Sequence, residues 1–267
     1  MKKVTFLAVA FTAMVFAACG GKKANTEVES AETKSFEQEQ IEASIKMNFD
    51  SLAAEVAKLK QFPFLSEDTN GKIALTTEEK QVKPDYLLDP TISEEATTLA
   101  EKYRFLSALD VDKRIAARYE IPTDGYDKAI TKLAAEINDK SLQVIDDNAN
   151  AFETSQALYD AMNENGRINF FWQLAAAALV EQLYVANQNT DKFLSVFDDD
   201  AAANVTFRIV LVVDAIKRLA AYDEDIQPVA DAIEPLTVIN AITVDEFKSQ
   251  LNTAKDQINA ARAALLK

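Results

Sequence analysis

The sequence predicts an all-α fold, a multi-helix bundle of about 8–10 helices. Three observations predict it. Apolar residues recur at three- and four-residue spacing from Phe36 onward. Thr-x-x-Glu capping patterns stand before two of the periodic stretches, at Thr91/Glu94 and Thr243/Glu246. Glycine is sparse, five in 267 residues, and no stretch alternates over more than four residues without a better helical reading.

The elements follow in chain order. Ile41, Ile45, Phe49, Leu52, Val56 and Leu59 mark a helix of about 25 residues that stops at Gln61-Phe62-Pro63. Residues 62–92 carry Pro63, Gly71, Pro84 and Pro90 and read as a long ordered connection with a short helix near 77–82. Phe62, Phe64, Leu65, Tyr86, Leu87 and Leu88 predict that this connection is packed down. Thr91 opens a helix to about Leu109, and Val111 to Tyr119 reads as a shorter one. Pro122-Thr123-Asp124 starts the next, to about Asn138. A helix from about Ser141 or Asn150 ends at Asn165-Gly166. Two very apolar helices, near 168–188 and 201–222, are expected at the centre, with short helices at 191–197 and 225–234. Thr243 opens the last helix, to about Leu266. Its seam, Val244, Phe247, Leu251, Ala254, Ile258, Ala261 and Leu265, repeats as a heptad. Alanine at two seam positions favours close packing inside the monomer over a coiled coil between chains.

Composition excludes several kinds of chemistry. The chain has no His and one Cys, which removes Ser-His-Asp and Cys-His catalysis, imidazole ligands, intrachain disulfides and cysteine zinc sites. Its glycines form no nucleotide-binding or nucleophile-elbow motif. With 43 Asp plus Glu against 28 Lys plus Arg, the net charge of −15 argues against nucleic acid and against a basic patch for anionic lipid. No cofactor is implied.

The N-terminus reads as an address. Lys2 and Lys3 precede an apolar run from Val4 to Phe16, too short for the ~20 residues of a membrane span and suited to a signal peptide. Ala17-Ala18-Cys19-Gly20 then resembles a bacterial lipobox, with Phe16 where Leu is usual. That resemblance implies acylation of Cys19 after removal of residues 1–18, and hence anchoring in the cell envelope, facing the periplasm or the cell surface. Residues 19–34 are poor in apolar side chains and read as a flexible tether, and 35–267 as a single helical domain.

Charges in apolar helices are the other candidates. Glu181, Arg208 and Asp214 lie in the two most apolar segments, as a buried ion pair or as a carboxylate poised for acid–base work. Asp146-Asp147-Asn148-Ala149-Asn150 starts like a calcium loop but has Ala151 and Ala157 where such a loop needs Gly and Glu. Asp198 to Asp200 and Asp223-Glu224-Asp225 lack a flanking ligand pattern, and no metal is expected. Aromatics between Phe152 and Phe207, densest at Phe170-Phe171-Trp172, are core residues or the walls of an apolar pocket. Asp50-Ser51-Leu52 resembles the short sequon at which exported proteins of Bacteroidota are O-glycosylated.

Met162-Asn163-Glu164-Asn165-Gly166-Arg167, followed by Val180-Glu181-Gln182-Leu183-Tyr184-Val185-Ala186, resembles a group of helical proteins of Bacteroidota, often lipoproteins, to which no activity is assigned. In that group Gly-Gly-Trp commonly stands where this chain has Ala177-Ala178-Leu179. The resemblance implies an all-helical envelope lipoprotein. The function expected is a membrane-anchored, non-catalytic interaction or structural domain with an envelope protein as partner. The alternatives are a binding module for a small apolar ligand between the central helices, and a carboxylate-based enzyme.

Overall fold

In a computed structural model, the described residues are 34–56, 62–63, 76–81, 84–144 and 156–266. Among them the regular structure is α-helix and 3₁₀ helix, with no strand. Ser35–Lys267 form one compact unit. The all-α, multi-helix bundle expected from periodicity is the observed architecture. The signal, Cys19 and nearly all of the tether lie outside the described residues, as do Phe64, Leu65 and the acidic loop at Asp146.

Helix α1 is Phe36–Val56 and α2 is Thr77–Gln81. A strap, residues 84–95, follows and ends in a 3₁₀ turn, Pro90–Glu95. Thr91 does not open the long helix: Asp89 caps the 3₁₀ turn, accepting from the Thr91 amide, and the chain re-extends at Ala96. The functioning capping box lies seven residues on. Thr98 Oγ1 accepts from the Glu101 amide at 3.2 Å and Glu101 Oε2 accepts from the Thr98 amide at 2.8 Å. From that box α3 runs unbroken as Leu99–Arg118, so the expected break near Asp110 is absent. Both Asp110 and Asp112 fit within a continuous helix, Asp110 bonded one turn on to Arg114.

Helix α4, Asp124–Ile137, stops at Asn138, which takes the left-handed conformation that ends many helices. A 3₁₀ turn, Lys140–Val144, and α5, Gln156–Glu164, lead to Gly166, whose φ of 68° lets the chain turn sharply into α6. Helix α6, Ile168–Gln188, is buried along nearly its whole length. It packs against α3 and α5 and against the helices that follow it. Those are α7 (Thr190–Phe193), α8 (Asp199–Leu219), α9 (Gln227–Ile233), α10 (Val244–Thr253) and α11 (Lys255–Leu265). Two 3₁₀ turns, Glu224–Ile226 and Glu234–Val238, flank α9.

The two apolar helices do pack together, but they differ. Helix α6 is enclosed, whereas α8 leans on α6, α1 and α9 and leaves one side to solvent. The last helix bends at Ala254 into α10 and α11. Its seam residues from Phe247 to Leu265 are all buried within the monomer. The aromatics fill the core against one another. Phe49 of α1 stacks on Tyr159 of α5 at 4.6 Å, and both meet Phe171 and Trp172 of α6 edge-on. Each such pair adds about 0.5–1.5 kcal/mol beyond the area it buries.

Candidate functional site

The strap is hydrogen-bonded by side chains from three helices. Its Leu88 amide donates to Asp112 Oδ2 of α3 at 2.7 Å, and its Leu88 carbonyl accepts from the Tyr126 hydroxyl of α4 at 2.8 Å. Its Tyr86 carbonyl accepts from Arg262 Nη2 of α11 at 3.3 Å. That guanidinium lies over the Tyr184 ring of α6, 3.8 Å from its centre, and grips Glu181 of α6 with two parallel hydrogen bonds of 2.7 Å. Asp112 and Glu181 are fully buried and face each other within hydrogen-bonding reach. Two carboxyls, one arginine and two tyrosines thus meet beneath one strap.

Burial dominates the electrostatics. It pushes the Asp112 carboxyl well above the usual range, and the neighbouring Glu181 charge pushes the same way, against the Leu88 amide and Arg262. Burial also raises Glu181, opposed by the Arg262 fork. The Tyr126 hydroxyl is raised by burial first and then by the Asp112 charge, and the Tyr86 hydroxyl by burial first and then by its neighbour Tyr119. Chemically the cluster can hold a proton and fix a backbone segment. Its oxygens are directed at Leu88, at Arg262 and at each other.

The residues singled out from sequence are placed unequally. Glu181 is the centre of a buried ion pair, but the cation that grips it is Arg262 of α11, not Arg208. Arg208 is itself buried in α8. Asp214 is corrected more fully: its side chain is 40% exposed and it pairs with Arg218 one turn on, on the solvent side of α8. The sequence reading did not single out Asp112 or Arg262. A signal for Asp112 was present, since it sits three and four residues from Leu109, Ala108, Ile115 and Ala116, on the apolar stripe of its helix. Arg262 carries a weaker one, four residues past Ile258 and three before Leu265.

The other acidic clusters serve helix ends. Asp198 caps α8, accepting from the Ala201 amide at 2.8 Å. Asp199 reaches across to the first amide of α10, at Val244, also at 2.8 Å. Asp223 accepts from the Asp225 amide and from Asn169. Among the described residues no group of three or more Asp, Glu, His or Cys is placed to hold a metal ion. Ser51 lies in α1 with its hydroxyl donating to the Met47 carbonyl.

One surface differs from the rest. On α8, Phe207 and Val210 are 51% and 50% exposed, one turn apart. Beside them Val210, Val213, Asp214, Lys217, Arg218 and Thr237 line an open groove. Val238, adjoining Thr237, is 50% exposed, and Ile242 is 64% exposed.

Fold and site together define a class: a helical bundle with a charge-locked strap laid over buried carboxyls and an apolar strip on one outer helix. No protein-family model, curated protein or solved structure matches the chain. No described helix is long and apolar enough to cross a membrane.

Proposed function

We propose that this protein is an envelope lipoprotein, anchored through acylated Cys19, whose helical domain works by contact with an envelope protein and not by catalysis. The observation that carries the contact reading is the strip on α8. A chain with 27% charged residues has ample polar side chains to cover a helix. Leaving Phe207 and Val210 exposed side by side, next to the groove at Asp214 and Thr237, is the kind of apolar clustering that marks interaction surfaces. The buried carboxyls argue in the same direction. The pair best suited to acid–base work is committed to Leu88 and Arg262 beneath the strap. Anchoring rests on the sequence from Lys2 to Gly20.

Two measurements in the native envelope test the proposal. Cys19→Ala is expected to move the protein from the membrane fraction to the soluble fraction; retention in the membrane defeats the anchor. A photo-crosslinking side chain at position 207 is expected to yield a discrete adduct with another protein. One at exposed Lys132 of α4 is expected to yield none. Absence of an adduct at 207, or equal adducts at both positions, defeats the contact reading.

A further inference from the structure

We propose that Asp112 and Glu181 hold a single proton between them, and that this proton latches the strap, residues 84–95, onto the bundle. The cluster contains one cation, Arg262, and two carboxyls, all removed or nearly removed from water. If both carboxyls ionise, the site carries an uncompensated negative charge where burying an ion costs several kcal/mol. With one proton it is neutral.

Geometry assigns the proton. Both Glu181 oxygens already accept from the Arg262 fork at 2.7 Å, so Glu181 is the ionised member. Asp112 has one oxygen, Oδ2, accepting from the Leu88 amide, whereas its Oδ1 is buried with no hydrogen-bond donor. A buried acceptor without a donor costs about 1–3 kcal/mol. Protonating that oxygen turns it into the donor for the Glu181 carboxylate it faces, and every polar atom of the pair is then satisfied.

The latch follows from the bond that Asp112 makes on its other side. The Leu88 amide is fixed by Oδ2, and the adjoining carbonyl by Tyr126. When the proton leaves, two carboxylates face each other and Asp112 is driven out of the site, taking the Leu88 bond with it. The groups that face Asp112 come from every element around it. They are Glu181 of α6, Arg262 of α11, Tyr126 of α4 and Tyr86 of the strap; beyond them Asp89 acts on Tyr126, and Tyr119 and Asp85 act on Tyr86. Apart from Arg262, none of these favours a second negative charge.

The sign is set by the protonated group. A carboxyl held protonated in the folded state gives stability that is complete below about pH 4, its range in the unfolded chain, and is lost as pH rises through the folded value. Surface carboxylates held below their usual range, such as Glu101 and Asp127, act in the opposite sense and at lower pH. The chain has no His. Between about pH 5.5 and 9, with Cys19 and the terminal amine aside, ordinary side chains therefore do not change charge. A pH dependence of folding in that window belongs to the pair.

The test uses the full chain, wild type and D112N, with the lone Trp172 as a fluorescence probe of urea unfolding. In D112N the amide oxygen still accepts from Leu88 and the amide nitrogen donates permanently to Glu181. The unfolding constant of the wild type is expected to rise by up to tenfold per pH unit across the window, with the protection of the Leu88 amide, its exchange taken relative to the intrinsic rate at each pH, falling in step. In D112N both should be flat. Equal pH dependence in the two proteins overturns the proposal. An infrared measurement stands apart from the folding of the variant. At neutral pH the wild type is expected to show the carbonyl stretch of a protonated carboxylic acid, fading as pH rises. A wild type with no such band at neutral pH overturns the proposal as well.

Discussion

Glu181 and Asp214 illustrate how little a charge in an apolar helix says by itself. Both break apolar runs, yet one is fully buried and the other sits at the surface beside Arg218. The difference lies in which side of the helix each occupies, and α8 has a solvent side that its composition conceals. Glu181 was legible as a buried carboxylate because α6 is apolar all round. Its partner was not, because Arg262 lies 81 residues away on an amphipathic helix with ordinary charges. Local sequence holds no term for such a pairing. The two ion pairs should respond differently to loss of their cation. Arg262→Met leaves Glu181 buried and unpaired and is expected to cost about 3–5 kcal/mol. Arg218→Met removes a half-exposed pair, expected to be worth under about 1 kcal/mol. Urea unfolding followed by Trp172 fluorescence measures both, and equal losses would contradict the assignment of Arg262 as the internal counter-ion.

At the scale of elements, termini were harder to read than periods. The chain offers two Thr-x-x-Glu patterns within a few residues, Thr91/Glu94 and Thr98/Glu101, and only the second forms a box. Pro90 decides the matter physically. It starts a 3₁₀ turn capped by Asp89, after which Ala96 is extended, so the α-helix must be nucleated afresh at Thr98. The break expected near Asp110 failed for a related reason: polar residues at 110 and 112 interrupt the composition of α3 without interrupting its hydrogen bonds. The acidic run 198–200 was legible as a connection but not as a pair of caps, because Asp199 serves a helix that begins at Val244. Capping gives that run a measurable role. Asp198→Ala is expected to lower stability by about 1 kcal/mol through loss of the bond to the Ala201 amide. Added calcium is expected to leave the unfolding midpoint of the wild type unchanged. A calcium-dependent rise abolished by Asp198→Ala would instead make the run a metal site.

Taken as a whole, the bundle is closed by its last helix. The fold class was legible because three- and four-residue periodicity survives any rearrangement of the helices. The order in which they meet was not, because it depends on contacts between distant parts of the chain. Arg104 of α3 donates to the carbonyl of Leu265, 161 residues on, and Arg262 reaches Tyr86 across 176. Helix α11 also lays Ile258, Ala261 and Leu265 into the core against α6 and α9. Ending the chain at Thr253 therefore removes more than a terminal turn. Burial of Ile258 and Leu265 contributes about 1.5–3 kcal/mol each. Orphaning Glu181 adds about 3–5 kcal/mol, so the combined loss of about 6–11 kcal/mol approaches the ~5–15 kcal/mol by which a domain is stable at all. The strap loses its Arg262 bond in the same cut. The shortened chain is expected to show no cooperative urea transition at Trp172 and fast amide exchange throughout α6. A single sharp transition near the midpoint of the full chain would mean that α1 to α10 hold the core unaided, and that α11 is an appendage to the bundle.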